Sequence, residues 1–481
     1  MRSIVWFRRD LRLHDNPALM AACKECDEII PLFVFDEPLL QSHEFGPACV
    51  NFMLGCLEDL ASSLAKLGLP FQWRRGTQGE EVVNAAKSWK ADIVYWNRDY
   101  EPGAIKRDLI VAQRLAKLGV IVRTFKDHVV FEAEEVRSAT GEPLQRYSAY
   151  RARWWAKWHA VKPLPLPVPS TVKRPKADRL LLPLPLPSAS DLGYELLTPW
   201  IGPGECRARK RLEEFLAGPI HRYVDGRNLP GIDGSSKLSP HFRFGTLSPR
   251  DAVHAALGTL AKGGRVSRPD ILTWIDELIW REFFQQVLTA FPRVVEGPFR
   301  YAAVSPPRER DPERDPLFQA WCEGRTGYPI VDAGMRQLNQ TGWMHNRVRM
   351  IVASFLIKDL RIDWQRGERY FMNHLLDADV AANNGNWQWC ASTGTDAMRA
   401  YRIFNPALQS KKFDPDGAYI RRYVPELARV ATQRIHEPHV MTLDEQSRSH
   451  CRIGVDYPSP VVDHRQARRE YLGLSKQQVR R

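Results

Sequence analysis

The sequence predicts two domains of different class: an α/β domain built on a parallel sheet, then an all-α domain, joined by a long Pro-rich linker. Three observations carry this. The β-like runs Ser3–Phe7, Ile29–Phe35, Pro70–Arg74, Ile93–Trp96 and Val120–Phe125 alternate with helical segments such as Cys49–Leu67 and Ala104–Leu118, the order of a parallel α/β sheet. From Lys162 to Pro187 prolines recur, Pro163-Leu164-Pro165-Leu166-Pro167 being echoed by Pro183-Leu184-Pro185-Leu186-Pro187. Proline can neither donate to a ladder nor sit inside a helix, so this stretch reads as extended chain. Beyond Glu205 helical patterns dominate to the end. The expected boundaries are 1–130 for the α/β domain, 131–204 for the interdomain linker and 205–481 for the helical domain.

Composition is consistent with this plan. A chain of 481 residues is long for one compact core. Its 15 Trp and 10% aromatic residues can fill cores and still leave indoles for ligands. The formal net charge of +13 suits a polyanionic partner and, taken alone, equally suits mere solubility. No run of eighteen apolar residues occurs, and Ile4-Val5-Trp6-Phe7 passes directly into Arg8-Arg9-Asp10, so a soluble, cytoplasmic, monomeric protein with no membrane association is expected. Eight Cys in this length make no disulfide framework. Cys23-Lys24-Glu25-Cys26 is a lone CxxC that reads as two packing residues in a helix, and no metal site is expected.

Chemistry concentrates in the second half. Read as a helix, Met344, Val348, Ile351, Val352 and Phe355 make one apolar stripe. Asn346, Arg349 and Met350 lie on another face, which presents an amide, a cation and a thioether together. Farther on, Asp377-Ala378-Asp379-Val380-Ala381-Ala382-Asn383-Asn384-Gly385-Asn386-Trp387-Gln388-Trp389 gathers carboxylates, amides and two indoles into one short run. Any one of these residues fits a polar loop with caps. The joint pattern does not.

Gly342-Trp343-Met344-His345-Asn346-Arg347, the run ending in Trp389, then Thr393-Gly394-Thr395-Asp396 and Tyr401-Arg402-Ile403-Phe404, resemble the flavin-binding core of the photolyase and cryptochrome family in order and spacing. Phe7-Arg8-Arg9-Asp10-Leu11-Arg12-Leu13-His14-Asp15-Asn16 resembles the family's opening signature. The resemblance implies a Rossmann-like N-terminal domain and a helical FAD-binding domain. In Asp233-Gly234-Ser235-Ser236-Lys237-Leu238-Ser239 it implies a diphosphate-binding run, with Tyr223 eleven residues before Gly234. Tyr223, Ser235, Ser236, Lys237, Leu238, Ser239, Trp274, Arg349, Asp377, Asp379 and Asn383 are the FAD contacts it implies. Arg349 and Asp377 would pair beside the flavin ring, and Asn383 would face the ring nitrogen that changes protonation on reduction. Plant cryptochromes carry aspartate there and insect ones cysteine, so Asn383 points to a photolyase.

Trp274, Glu277, Trp280, Arg281 and Phe284 share one helical face, and their segment resembles the lesion-pocket helix of class I cyclobutane pyrimidine dimer photolyases. The resemblance makes Glu277, Asn346, Met350 and Trp280 the catalytic set. Glu277 would hydrogen-bond the thymine carbonyls, Trp280 would stack on the flipped bases, and Asn346 and Met350 would line the pocket. Members that repair the 6-4 photoproduct carry histidines at the last two places. His345 is read as turning away from Asn346 on the same helix. Arg227, Arg281, Arg347, Trp389 and Arg402 are implied as DNA contacts, and Lys411, Lys412, Arg421 and Arg422 extend that surface.

Three departures stand out. Trp387 and Trp364 match the two inner tryptophans of the family's electron relay, but no tryptophan lies between Trp280 and Trp321, leaving Trp321, Trp389 or Tyr301 as alternative exits. Tyr100-Glu101-Pro102-Gly103-Ala104 lacks the polar pair of folate-binding relatives, so a deazaflavin-like antenna, or none, is expected ahead of folate. Met398-Arg399-Ala400-Tyr401 replaces a usual Ala-Pro-Tyr-Phe, and Arg399 has no assigned role. The expected function is light-dependent repair of pyrimidine dimers in DNA by electron transfer from reduced FAD. The alternative is a cryptochrome-like photoreceptor signalling through a protein partner.

Overall fold

The computed structural model describes residues 1–42, 45–170, 185–261, 267–300 and 315–479. Two compact units emerge. The first comprises Met1–His221, Ser236–Pro292 and Leu376–Ala382, and the second Arg222–Ser235, Arg293–Leu375 and Asn383–Arg481. Part of the proline-rich stretch, 171–184, and Tyr301 lie outside the described residues.

The first unit holds a five-stranded sheet of β1 (Arg2–Phe7), β2 (Glu28–Asp36), β3 (Gln72–Gly76), β4 (Ile93–Asn97) and β5 (Ile121–Phe125), ordered β3-β2-β1-β4-β5. Every pairing is parallel, with Phe7 opposite Phe33 and Val5 opposite Tyr95. The strands of the sequence reading are all present. They were legible because a parallel sheet is covered on both faces, and in β1 Ile4, Val5, Trp6 and Phe7 are all fully buried. The crossovers are the helices α1 (Pro17–Glu25), α2 (Pro47–Lys66), α3 (Gln78–Ser88) and α4 (Pro102–Ala116). Among the described helices α2 alone is long and apolar enough to cross a bilayer, and its Val50, Phe52, Leu57 and Leu64 are buried in the core. Cys23 lies in α1, but Cys26, expected in the same helix, is its extended C-cap, fully buried, with Sγ 3.4 Å from the Tyr95 hydroxyl.

Within 131–204 the chain forms α5 (Tyr147–Val161). Tyr150, Trp154 and Trp158 recur every four residues on its buried side, and Lys162 in the left-handed region ends it just before Pro163. Against α5 runs α6 (Arg268–Ala290), begun by Ser267, whose hydroxyl accepts from the Asp270 N–H at 3.3 Å. Glu282 of α6 joins these parts. Its buried carboxylate accepts from Val130 N–H (2.6 Å), Phe131 N–H (3.1 Å), Trp154 Nε1 (2.7 Å) and the Tyr150 hydroxyl (3.3 Å).

The second unit is helical. It includes α7 (Pro329–Thr341), α8 (Asn346–Ser354), which continues as one π turn over Phe355–Asp359, α9 (Trp364–His374) and α10 (Val380–Ala391), whose first residues belong to the first unit. Gly342, at φ 66°, closes α7 by donating its N–H to Leu338 O at 2.8 Å. The apolar stripe is buried as expected, Met344, Val348, Ile351, Val352 and Phe355 being at most 1% exposed. The helix starts later than expected. Met344 precedes it, and His345 is its N-cap, with Nδ1 accepting the Arg347 N–H at 3.2 Å. His345 is therefore set apart from Asn346 as a cap, not by rotation along a shared helix.

Replacing Glu282 by Leu removes the acceptor of three N–H donors in a dry place. At roughly 1–3 kcal/mol for each orphaned group, the loss is on the order of 3 kcal/mol or more. A urea titration followed by circular dichroism checks this, and an unchanged midpoint contradicts it.

Candidate functional site

In the first unit the expected residues follow α6. Trp274 is buried, its ring centroid 5.3 Å from that of Phe215. Glu277 and Trp280, one turn apart, are half-buried. Trp280 stacks on Tyr147 with centroids 3.5 Å apart and planes 8° from parallel. Tyr147 is itself fixed by donating its hydroxyl to Asp276 O at 2.8 Å, and Arg151 pairs with the Asp276 carboxylate at 2.6 Å. One face of the Trp280 indole is thus covered, a partner the sequence reading missed. The aromatic four-residue spacing of α5 was the available signal.

Arg281 needs correction. Its guanidinium turns inward, donating to His128 O at 2.8 Å and Phe242 O at 3.3 Å. Burial pushes it down to about 10, and such a place does not suit a phosphate contact.

Asp379 is the hub beside it. It accepts from Gln285 Nε2 at 3.3 Å, caps α10 through the Ala382 N–H at 2.9 Å and forms a short ion pair with Arg9. Burial favours its neutral form, but Arg9, a hydrogen bond to His128 and Arg281 hold the carboxyl well below the usual range. Burial, with Arg281 and Arg9 alongside, keeps His128 well below the usual imidazole range, so the ring is neutral. Arg9 stood in the opening signature without a role. Asp377 lies in this unit too, and is buried.

Leu238 is buried, Ser236 half-buried and Ser239 exposed. Lys237 takes φ 55° and places its ammonium 5.0 Å from the Trp200 ring centroid, beside a cavity of about 260 Å³ lined by Arg207, Lys210 and Arg211.

In the second unit, Tyr223 is buried under the Arg227 guanidinium, 5.5 Å above its ring. A Cβ on Gly234 would stand 2.3 Å from Gly226 O, so the turn carrying Ser235 closes this tightly only with glycine. Arg347 donates to Asn228 Oδ1 at 2.7 Å, lies 4.4 Å above the Phe413 ring and reaches Met350 Sδ at 3.8 Å. Asn346 is exposed beside it, and Arg349 donates Nε–H to Met344 O at 2.8 Å. Asn346, Arg347, Met350 and Arg227 are therefore brought onto one part of the surface.

Asn383 donates Nδ2–H to Glu368 O at 3.0 Å, and Asn384 donates to the Glu368 carboxylate at 2.9 Å. Trp387 is buried, and a Cβ on Gly367 would meet its ring at 2.1 Å. Trp364 is 9% exposed, Trp321 fully buried and Trp389 half-buried. Arg402 is exposed and accepts Lys358 Nζ on its carbonyl at 2.8 Å. Lys411 pairs with Glu437, and Arg421 folds onto Ala428 O and Val430 O, which removes both from the expected basic surface. Arg399 donates to the exposed Tyr401 hydroxyl at 2.6 Å.

These residues fit a flavin. In the first unit Gln285 Oε1 is buried without a donor beside Asp379, and in the second the Asn383 amide is oriented by its Nδ2 bond. Each, taken within its own unit, is a polar group of the kind that a flavin's alternating donors and acceptors can pair with.

Glu368 adds a pH dependence. Burial pushes its carboxyl up to about 7, against the Asn384 hydrogen bond and Arg369. The folded value lies above the ordinary glutamate value of 4.5, so its contribution to stability is full below that pH and lost as pH rises through about 7. The loss is up to about 3 kcal/mol. Stability of Glu368→Gln, measured in urea between pH 5 and 8, loses this component of the slope, whereas a wild-type slope in the variant contradicts the assignment.

Comparison with known proteins gives the family. Residues 3–170 match the DNA photolyase family and residues 274–477 match the FAD binding domain of DNA photolyase. A deoxyribodipyrimidine photo-lyase of Synechococcus sp. is 40% identical over 486 residues, covering 98% of this chain and 96% of that protein. The crystal structure of a bacterial class III photolyase from Agrobacterium tumefaciens superposes with a TM-score of 0.89 at 36% identity, covering 100% of this chain and 98% of that one. A Synechocystis sp. cryptochrome gives 0.87 at 31%, covering 98% and 99%. With one fold, one flavin-binding core and near-complete coverage shared throughout, this chain belongs to the DNA photolyase family.

Proposed function

We propose that this chain repairs cyclobutane pyrimidine dimers in DNA in a light-dependent reaction, as a soluble, cytoplasmic monomer. The observation that supports this most is the pair Glu277 and Trp280 on α6, a half-buried carboxylate one turn from an indole held flat by Tyr147. FAD, when bound, supplies the photochemistry, its reduced form giving one electron to the dimer on excitation by blue light.

The chain's own residues bind, orient and stabilise. Trp280 stacks on the flipped bases, Glu277 hydrogen-bonds the thymine carbonyls as they take up charge, and the half-buried Trp389 contacts the DNA. Asn346 contacts the same bases and Met350 lines the pocket. Arg227, Arg347 and Arg402 hold the flanking phosphates, a role that their half-buried or exposed positions in the second unit allow. Tyr223, Ser235, Arg349 and Asn383 of the second unit, and Ser236, Lys237, Leu238, Ser239, Trp274, Asp377 and Asp379 of the first, contact FAD.

An antenna pigment, if held, is of the deazaflavin type. Tyr100 and Glu101 are already engaged, Tyr100 donating to Glu132 at 2.9 Å and Glu101 pairing with Arg9 at 2.5 Å, and a Cβ on Gly103 would meet nothing within 4 Å. That segment offers a folate no polar pair.

Illuminating the reduced protein with dimer-containing oligothymidine restores thymine absorbance if the reading is right. Glu277→Ala keeps its FAD and repairs at markedly lower quantum yield. Bleaching of the flavin without any recovery of thymine moves the chain to the photoreceptor reading that its likeness to a cryptochrome offers. Protein mixed with methenyltetrahydrofolate emerges from gel filtration almost free of it, and stoichiometric retention overturns the antenna assignment.

A further inference from the structure

The ring neighbours of Trp387 are Phe371 and Trp321. Trp321 lies 6.3 Å away between centroids, at 67°. It is fully buried and donates Nε1–H to Val352 O at 3.1 Å. Trp321 is also a ring neighbour of Tyr370, 5.6 Å away at 66°. The Tyr370 hydroxyl is 2.8 Å from Asn339 Oδ1 and 3.1 Å from Cys322 O, and Asn339 is exposed. His374 stacks on the Tyr370 ring at 3.9 Å and ties its Nδ1 to Tyr370 O at 2.8 Å, which fixes the phenol in place. Three oxidisable rings therefore run in contact from a sealed interior to a half-buried edge.

We propose that Trp387, Trp321 and Tyr370 form an electron relay that ends on Tyr370 and takes the place of the missing distal tryptophan. The inference rests on the reading that Trp387 is the flavin's immediate donor. One electron leaves Trp387 toward photoexcited oxidised FAD. Trp321 refills Trp387, and Tyr370 refills Trp321. As its electron leaves, the Tyr370 phenol proton passes to water at the Asn339 edge, so the relay ends in a neutral tyrosyl radical. A thiol in solution returns one hydrogen atom to Tyr370 and is left as a thiyl radical.

Burial decides the order. Trp321 cannot be the end, because its ring is fully buried, out of reach of a reductant in solution, and its only N–H is held by Val352 O. A hole there keeps its proton and stays mobile. At Tyr370 burial holds the phenol well above its usual range, so the proton leaves only together with the electron, and that loss traps the hole. The sequence had offered Trp321 as an exit from Trp364, whereas the ring it touches is Trp387.

The test is transient absorption and electron paramagnetic resonance on FAD-loaded protein grown with ring-deuterated tyrosine. The wild type yields a tyrosyl signal that narrows on deuteration. Tyr370→Phe loses that signal and shortens the charge-separated lifetime severalfold, and Trp321→Phe does the same, with flavin absorbance confirming that FAD is retained. A deuteration-sensitive signal and wild-type lifetime in Tyr370→Phe overturn the relay. Trp387→Phe separates the two readings. If it abolishes charge separation while the outer variants leave it intact, the relay alone is wrong, and if it too changes nothing, Trp387 is not the flavin's donor.

Discussion

One buried carboxylate sets the geometry of the first unit. Glu282 is 3% exposed and accepts two main-chain N–H groups after β5, an indole N–H and a phenol of α5. A carboxylate taken out of water costs several kcal/mol unless its lone pairs are filled, and here they are. The same bonds fix α6 in rotation and along its axis, and so decide which way Glu277 and Trp280 point. Asp379 repeats the device on a smaller scale, joining the start of α10 to Arg9 and Gln285. At Asp379 a charge that a core would reject is held by partners distant in sequence, whereas at Glu282 burial outweighs the hydrogen bonds and pushes the carboxyl up to about 7.

The strands and the apolar stripe of α8 were legible because each rests on a local period: continuous apolar runs for a sheet covered on both faces, three and four for a helix facing a core. One failure came from long-range partners. Arg281 looked like a surface cation until the carbonyls of His128 and Phe242 claimed it, and those lie about 150 and 40 residues away in the chain. The helix α5 was hidden by composition, since the prolines after it drew attention from the spacing of Tyr150, Trp154 and Trp158. His345 and Cys26 were misjudged by one or two residues at helix ends, where capping and not periodicity decides. Family motifs identified the residues of the candidate site; which of them touch each other within a unit came only from the fold.

The charge of +13 is distributed more selectively than its size implies. Lys411 and Arg421 are held by Glu437 and by main-chain carbonyls, Arg281 faces inward, and Arg9 and Arg250 are matched by Asp379 and Asp15. Arg227, Arg347 and Arg402 remain at least partly open to water, and each lies over an aromatic ring, that of Tyr223, Phe413 and Phe404 respectively. A guanidinium resting on a ring keeps N–H donors free to meet an anion.

The stack of Tyr147 on Trp280 gives the indole two unequal sides. A tryptophan standing alone in water turns among rotamers, and any planar guest must freeze it at a cost of about 0.5–1.5 kcal/mol. Here Tyr147, pinned through its hydroxyl to Asp276, has already done so. A guest therefore meets a surface that is rigid before contact and open from one direction only. Because one face is already taken, a planar guest can add to the stack on the other face alone, on a ring whose plane Tyr147 has set.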